Sequence, residues 1–318
     1  MTQNDKVFIG IDVSKATLDI AMSGKHFQID NTKESISQFV KQEIILKKIA
    51  PVLICLESTG GYETIALQCF QAVKMPIHKA HPNRVHAFAR ASGHFAKTDK
   101  LDAKLLEKYA GFVCHEETGD LPLSKTFYDL QELKAVERSL MESLHANQCR
   151  VKNSRGPAID YLKVQINFIQ EQLKRVRQDI EKIIDSDDQL TQTRKILMSY
   201  KGVAKQVSST LVIELPELGK LSKREIASLV GVVPKTHESG TKKLNGHISG
   251  GRFFIRKALY MAALVASRCD EKMRTFYNRL IAAGKAKKIA LVAVMRKIIV
   301  CLNAMVKNNK IYEIVVDS

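Results

Sequence analysis

Short apolar runs separated by turns open the chain. Val7–Val13 is the first, with an acid at its end, and Ala16–Met22 follows a Ser-Lys turn, with His26–Asp30 as a third strand. Over Glu34–Lys48 the apolar residues (Ile36, Phe39, Val40, Ile44, Leu46) shift to helical spacing, and Pro51–Leu56 returns to a buried-strand pattern. Thr59-Gly60-Gly61 punctuates before a helix through Val73. Met75–Ala80 then reads as a fifth strand, followed by helices at Pro82–Ala91 and Asp99–Phe112. The predicted order is β-β-β-α-β-α-β-α.

A three-strand meander followed by alternating helices and strands predicts an α/β domain over 1–125 with the ribonuclease-H arrangement, although order alone fits other α/β folds. From Phe127 the pattern changes. Leu130, Leu133, Val136, Leu140 and Leu144 make one stripe; after Gly156-Pro157, Ile159, Leu162, Ile166, Ile169, Leu173, Val176, Ile180 and Ile183 alternate spacings of three and four. Such heptads with charged flanks predict a helical coiled-coil connector over 126–190, either a seam between two copies through 159–183 or a hairpin closing on itself. The remainder, 191–318, reads as a mostly α domain. Within it, Ser199-Tyr-Lys-Gly-Val-Ala resembles a helix-hairpin-helix turn whose backbone N–H groups hold a phosphate, with Lys201 beside it. Ala204 stands where such a hairpin has its second glycine, so a plain helix–helix turn fits equally.

Charge narrows the choice of partner. Among 318 residues, 50 Lys+Arg against 33 Asp+Glu give a formal charge of +17 and a pI near 9.6. That excess points to a polyanion, because each neutralised phosphate releases counterions. Much of it crowds the last third, including Lys242, Lys243, Arg252, Arg256 and Lys257. The six cysteines contain no C-x-x-C pair, which argues against a disulfide framework or a zinc site. The polar start, Met1–Lys6, is unlike a signal peptide, and no uninterrupted apolar run approaches the ~18 residues of a membrane span. A reducing cytoplasm, with no membrane partner, is the expected setting.

Four acids carry the candidate chemistry. Asp12 closes the first strand and Glu57 the fourth; Asp99 and Asp102 lie one turn apart at a helix start. In the ribonuclease-H order strands one and four are central neighbours, so their acidic ends meet at one edge, and residues at i and i+3 share a helix face. Four gathered carboxylates repel one another; two hard cations, Mg2+ above all, relieve the repulsion and activate phosphoryl transfer. Singly, each acid also reads as a cap or a strand-end surface residue.

Several segments carry a family likeness. They are Phe8-Ile-Gly-Ile-Asp-Val-Ser-Lys-Ala-Thr-Leu-Asp, Leu56-Glu-Ser-Thr-Gly-Gly-Tyr-Glu, and Pro82-Asn-Arg-Val-His-Ala-Phe-Ala-Arg-Ala through Lys97-Thr-Asp-Lys-Leu-Asp-Ala. The C-terminal half adds Leu215-Pro-Glu-Leu-Gly, Leu229-Val-Gly-Val-Val-Pro, Glu238-Ser-Gly-Thr and Ile255-Arg-Lys-Ala-Leu-Tyr-Met-Ala-Ala-Leu. Together they resemble the DEDD transposases of the IS-one-ten insertion-sequence family and the Piv-type DNA invertases. The resemblance implies a RuvC-like domain in which Asp12, Glu57, Asp99 and Asp102 bind Mg2+ (or Mn2+). It also implies a DNA-attacking serine that gives a phosphoserine intermediate, a position only Ser239 matches. Ser239 otherwise reads as a turn residue before Gly240. A structured non-coding RNA, the bridge RNA, that specifies donor and target DNA is implied as well, as is a homo-oligomer (dimer or tetramer) holding several cut strands. Arg84, Arg90 and Lys97 flank the acids as candidate phosphate clamps. One segment, Ile248-Ser-Gly-Gly-Arg, departs from the family's Gly-Asn pattern.

Competing readings are a Holliday-junction-resolving endonuclease using metal-activated water and a non-catalytic nucleic-acid-binding protein. A sugar kinase ranks last, because the chain has no second Asp-x-Gly phosphate loop and its positive charge would have no purpose.

Overall fold

The computed structural model describes residues 6–93, 99–114, 124–234, 238–239, 242–243 and 247–312. The chain divides into two compact units, Met1–Leu123 and Ser124–Ser318.

The first unit is built on a mixed five-stranded sheet of β1 (Val7–Val13), β2 (Thr17–Met22), β3 (Lys25–Asp30), β4 (Pro51–Glu57) and β5 (Ile77–Ala80). The strand order is β3-β2-β1-β4-β5. β2 runs antiparallel to β1 and β3, whereas β4 runs parallel to β1 and β5. Strand alternation splits the side chains between two faces. Ile9, Ile11, Ile54 and Leu56 face one layer, formed by α1 (Lys33–Phe39), its π-helical continuation Val40–Ile45, and α2 (Thr64–Ala72). Leu53 and Cys55 face the other, formed by α3 (Pro82–Ala91) and α4 (Asp99–Val113). The element order read from the apolar pattern is the order found, and the helix expected over Glu34–Lys48 is this α1 and π-helical pair.

The second unit is helical. α5 (Lys125–Asn153) begins at Ser124, whose hydroxyl accepts from Phe127 N, and α6 (Ala158–Asp185) returns along it after Gly156, which has a φ of 63°. The heptad stripe of α6 therefore packs within the chain: Ile169, Leu173 and Ile180 are buried, and Leu130, Ile180 and Ile184 form one cluster with Ile213. Of the two arrangements open from sequence, the closed hairpin is present. The hairpin is also bridged by an ion pair in which the half-exposed Arg177 of α6 meets a buried carboxylate of α5. Glu137, 1% exposed, accepts from Lys134 Nζ at 2.6 Å and Arg177 Nε at 2.7 Å. Burial alone would raise the Glu137 carboxyl, but these two cations hold it below its ordinary value.

α7 (Asp188–Met198), α8 (Lys205–Glu214), α9 (Lys223–Val230), α10 (Phe253–Cys269), α11 (Glu271–Ala282) and α12 (Lys287–Lys307) surround the largest core. Between α9 and α10, β6 (Glu238–Ser239) and β7 (Lys242–Lys243) form a two-residue antiparallel ladder. α12 is long and apolar enough to cross a membrane by length and composition, yet Val294, Ile298, Ile299 and Leu302 are wholly buried in this core. Its apolar character is that of a central core helix. All six cysteines are free.

Candidate active site at the acidic sheet edge

Parallel pairing of β1 with β4 sets Ile11 opposite Leu56, so the next residues, Asp12 and Glu57, end side by side at the carboxyl edge. Neighbouring strands lie about 4.8 Å apart. Both acids are half-buried, and by strand alternation both belong to the face that α4 covers.

The direction of α4 follows from two glycines. A Cβ on Gly10 would overlap the Ala103 carbonyl oxygen and the Glu107 nitrogen, and one on Gly111 would lie 3.5 Å from the Phe8 ring. Moving from Phe8 to Gly10 along β1 thus moves backward along α4. Ser23 N, at the opposite end of β2, donates to Glu107 Oε1 at 2.7 Å and fixes the same direction. One further step of two strand residues, about 6.6 Å, matches roughly one helical turn and sets the first turn of α4 over Asp12. Positions 99 and 102 continue the stripe of Ala103, Leu106, Ala110 and Val113 that α4 buries. Burial pushes the Glu107 carboxyl up, partly offset by the Ser23 N–H.

Buried polar groups shape the loops around this edge. The Asn31 amide donates to Ser14 O and to Tyr62 O, both at 3.0 Å, which ties the turn after β1 to the loop after β4. Glu63, 1% exposed, accepts from Thr59 N (3.2 Å), Thr59 Oγ1 (2.9 Å) and Gly61 N (2.8 Å), and pairs with Lys79 Nζ at 2.5 Å. Burial alone would raise this carboxyl; the Lys79 hydrogen bond and charge with the backbone donors bring it down to about 2. Gly60 and Gly61 have φ of 80° and 128°, which L side chains rarely adopt, so the loop needs glycine there. Asp19, directly across from Asp12 in the β1–β2 register, is buried with His26 Nε2 at 2.8 Å and Gln28 Nε2 at 3.3 Å. The sequence reading singled out none of Asn31, Glu63, Lys79 or Asp19. Asp19 and Lys79 find their partners on or beside other strands and Asn31 in two separate loops, and only the motif Leu56–Glu63 hinted at the loop that Glu63 organises.

Carboxylate oxygens suit hard divalent cations, so the donor set is chemically apt. Among the described side chains, however, no group of three or more His, Cys, Asp or Glu residues is placed to hold a metal ion. The Asp99 side chain lies outside the described residues. Asp12, Glu57 and Asp102 each make their own polar or electrostatic contacts. Backbone topology thus brings the strand ends and the helical turn to one edge, but the described carboxylates of Asp12, Glu57 and Asp102 do not by themselves form a metal-holding group.

The remaining candidates are dispersed. Arg84 and Arg90 are exposed on α3, and Lys97 lies outside the described residues. Ser239 pairs with Lys242 in the β6–β7 ladder, where the side chains of Ser239, Lys242 and Lys243 are likewise outside them. Lys201 is exposed beside Gly202, whose φ is 102° and whose added Cβ would lie 2.7 Å from Ala262 O. That glycine serves the close approach of α10. Lys257 is exposed and borders a groove of about 1420 Å³ between the hairpin and helices α8 and α10. Arg252 Nη1 donates to Glu214 O at 2.7 Å and to Glu217 Oε2 at 2.6 Å, and Arg256 Nη1 donates to Val230 O and Gly250 O. An incoming phosphate has to compete with these partners.

Comparison with known proteins gives the class. Residues 9–154 match a transposase model of the IS110 DEDD type, and residues 194–278 match the model described as "Transposase IS116/IS110/IS902 family". Over 97% of this chain and 98% of its own length, the pilin gene-inverting protein of Moraxella bovis is 24% identical, and that of Moraxella lacunata is 23% identical over 97% and 98%. An insertion element IS110 protein of Streptomyces coelicolor is 29% identical over 37% of this chain and 30% of its own length. The class is that of enzymes that cleave and rejoin DNA strands. The chain belongs to the IS116/IS110/IS902 transposase family.

Proposed function

We propose that this transposase cuts and rejoins DNA with a RuvC-like, ribonuclease-H-type first unit and a nucleophilic serine, Ser239, in the second. The observation that carries the reading is the β1–β4 register, which ends Asp12 and Glu57 side by side on the face crossed by the α4 turn bearing Asp99 and Asp102. The strand order β3-β2-β1-β4-β5, with β2 alone antiparallel to β1, supports the ribonuclease-H assignment.

In this reading the four acids hold divalent cations, Mg2+ or Mn2+, which when bound supply charge neutralisation and Lewis acidity at the phosphate. Ser239 Oγ attacks phosphorus: the Oγ–P bond forms, the bond from phosphorus to one deoxyribose oxygen breaks, the serine proton passes to a base, and the leaving oxygen takes up a proton. Attack by the hydroxyl of a new strand reverses the step and rejoins DNA. Phosphoester bonds are exchanged throughout, so no external energy source is needed. Arg84, Arg90, Lys97, Lys201, Lys242, Lys243 and Lys257 contact phosphates, joined by Arg252 and Arg256 where they exchange partners. A charge of +17 suits a structured guide RNA as well as DNA. The exposed Tyr161, Val164 and Phe168 of α6 supply a contact between copies in a homo-oligomer. Inversion of a DNA segment, the reaction in the names of the Moraxella relatives, is one outcome of such exchange.

A nicked suicide DNA substrate tests this. Wild type accumulates a covalent protein–DNA adduct, Ser239→Ala forms none, and Asp12→Asn and Glu57→Gln lose more than about 100-fold in cleavage while still binding DNA. Cleavage without any adduct selects the water-activating endonuclease instead. Full activity in Asp12→Asn overturns the acidic site.

A further inference from the structure

Where α10 meets α11, a pocket of about 400 Å³ opens between Ser267 and Arg268 of one helix and Arg274, Tyr277 and Asn278 of the other, over an apolar floor. Among the described residues, no carboxylate lines it. Both guanidiniums are exposed, and neither has a hydrogen bond or ion pair among the described residues. This sets them apart from the arginines that hold the unit together. Arg138 pairs with Glu214, Arg177 with Glu137, Arg194 with Glu181 and Arg252 with Glu217. Two uncompensated guanidiniums sharing one small pocket repel each other, and an anion between them removes that repulsion.

The donor types narrow the ligand. A guanidinium fork matches the two non-bridging oxygens of a phosphate. The Tyr277 hydroxyl and the Asn278 amide bring further N–H and O–H donors, while the Ser267 hydroxyl is already committed to Leu264 O at 3.1 Å. The pocket has the size for one backbone phosphate with its sugar and is far too small for a base pair.

We propose that this pocket is a phosphodiester-binding site for a nucleic-acid backbone, with Arg268 and Arg274 as the clamp. It acts through position rather than chemistry: a strand held here is fixed on the α10–α11 corner of the second unit. The assignment is independent of the acidic sheet edge.

The test uses the full chain with duplex DNA and with single-stranded RNA, following anisotropy across a NaCl series. Arg268→Ala/Arg274→Ala is expected to weaken binding about 10-fold and to reduce the slope of log K against log[salt] by about 1, with unchanged thermal melting. The Lys/Lys pair keeps the slope but not the full affinity, because a lysine is a point charge without the fork. Loss confined to DNA or to RNA names the source of the phosphodiester. Unchanged slope and affinity with both nucleic acids overturns the proposal. An equal loss from replacing Arg155 and Lys163, two exposed cations of the same unit, also overturns it, since the effect is then general charge. This readout is binding and its salt dependence, whereas the acidic-site reading is tested by cleavage and adduct formation, so failure of the one and failure of the other are told apart.

Discussion

At the scale of single residues, the loop after β4 depends on Glu63. One buried carboxylate satisfies two backbone N–H groups, a hydroxyl and Lys79. Its folded value of about 2 lies below the ordinary 4.5, so its contribution is complete above about 4.5 and is lost as the pH falls toward 2. The first unit is therefore expected to lose stability over that window, and Glu63→Gln is expected to flatten the loss; acid titrations followed by circular dichroism compare the two. A variant as acid-sensitive as wild type would place the titrating group elsewhere. Asn31 acts in the same region by geometry alone, bridging Ser14 and Tyr62 with its amide donors.

Elements meet through close backbone approach in the first unit and through a buried carboxylate in the second. Gly10 leaves no room for a Cβ beneath α4, so Gly10→Ala is expected to push the helix off β1 and to cost about 1–3 kcal/mol. Because α4 also carries Asp102, strand cleavage should fall along with the melting temperature. A variant as stable as wild type would mean that α4 does not lie on β1 as described. In the hairpin, Glu137→Ala strands Lys134, whose side chain is 7% exposed, and is expected to destabilise the second unit by about 3–5 kcal/mol in urea titration. Loss of less than about 1 kcal/mol would show that water reaches the pair.

For the whole molecule, the excess of positive charge sets the terms of binding. With nearly all of the +17 carried by residues 124–318, affinity for duplex DNA is expected to drop by at least about 100-fold between roughly 50 and 200 mM NaCl. Binding that holds constant over that range would show that the cations are spent on internal pairs such as Arg194 with Glu181 and Asp185. Two units with separate cores also predict that mutations such as Gly10→Ala and Glu137→Ala shift different parts of an unfolding profile.

Local pattern alone determined the element order of the first unit, the long helices of the second and the polyanionic character of the partner. Strand and helix periods are properties of neighbouring residues, and net charge is a sum. Asp12 and Glu57 were legible for the same reason, as acids closing apolar strands. Tertiary structure decided what no local pattern holds. The heptads of α6 fit a partner chain or α5 equally well by pattern; within the chain their later residues pack with Leu130 of α5 and Ile213 of α8. Arg252 and Arg256 read as phosphate ligands because a positive side chain reads the same whether it faces solvent or a carboxylate; in the folded chain Glu217 and three backbone carbonyls are their neighbours. Asn31 is likewise an ordinary polar residue until the chain brings the Ser14 and Tyr62 carbonyls to it, and Glu63 until its loop turns back and Lys79 arrives from β5, because hydrogen-bond partners are chosen by the fold.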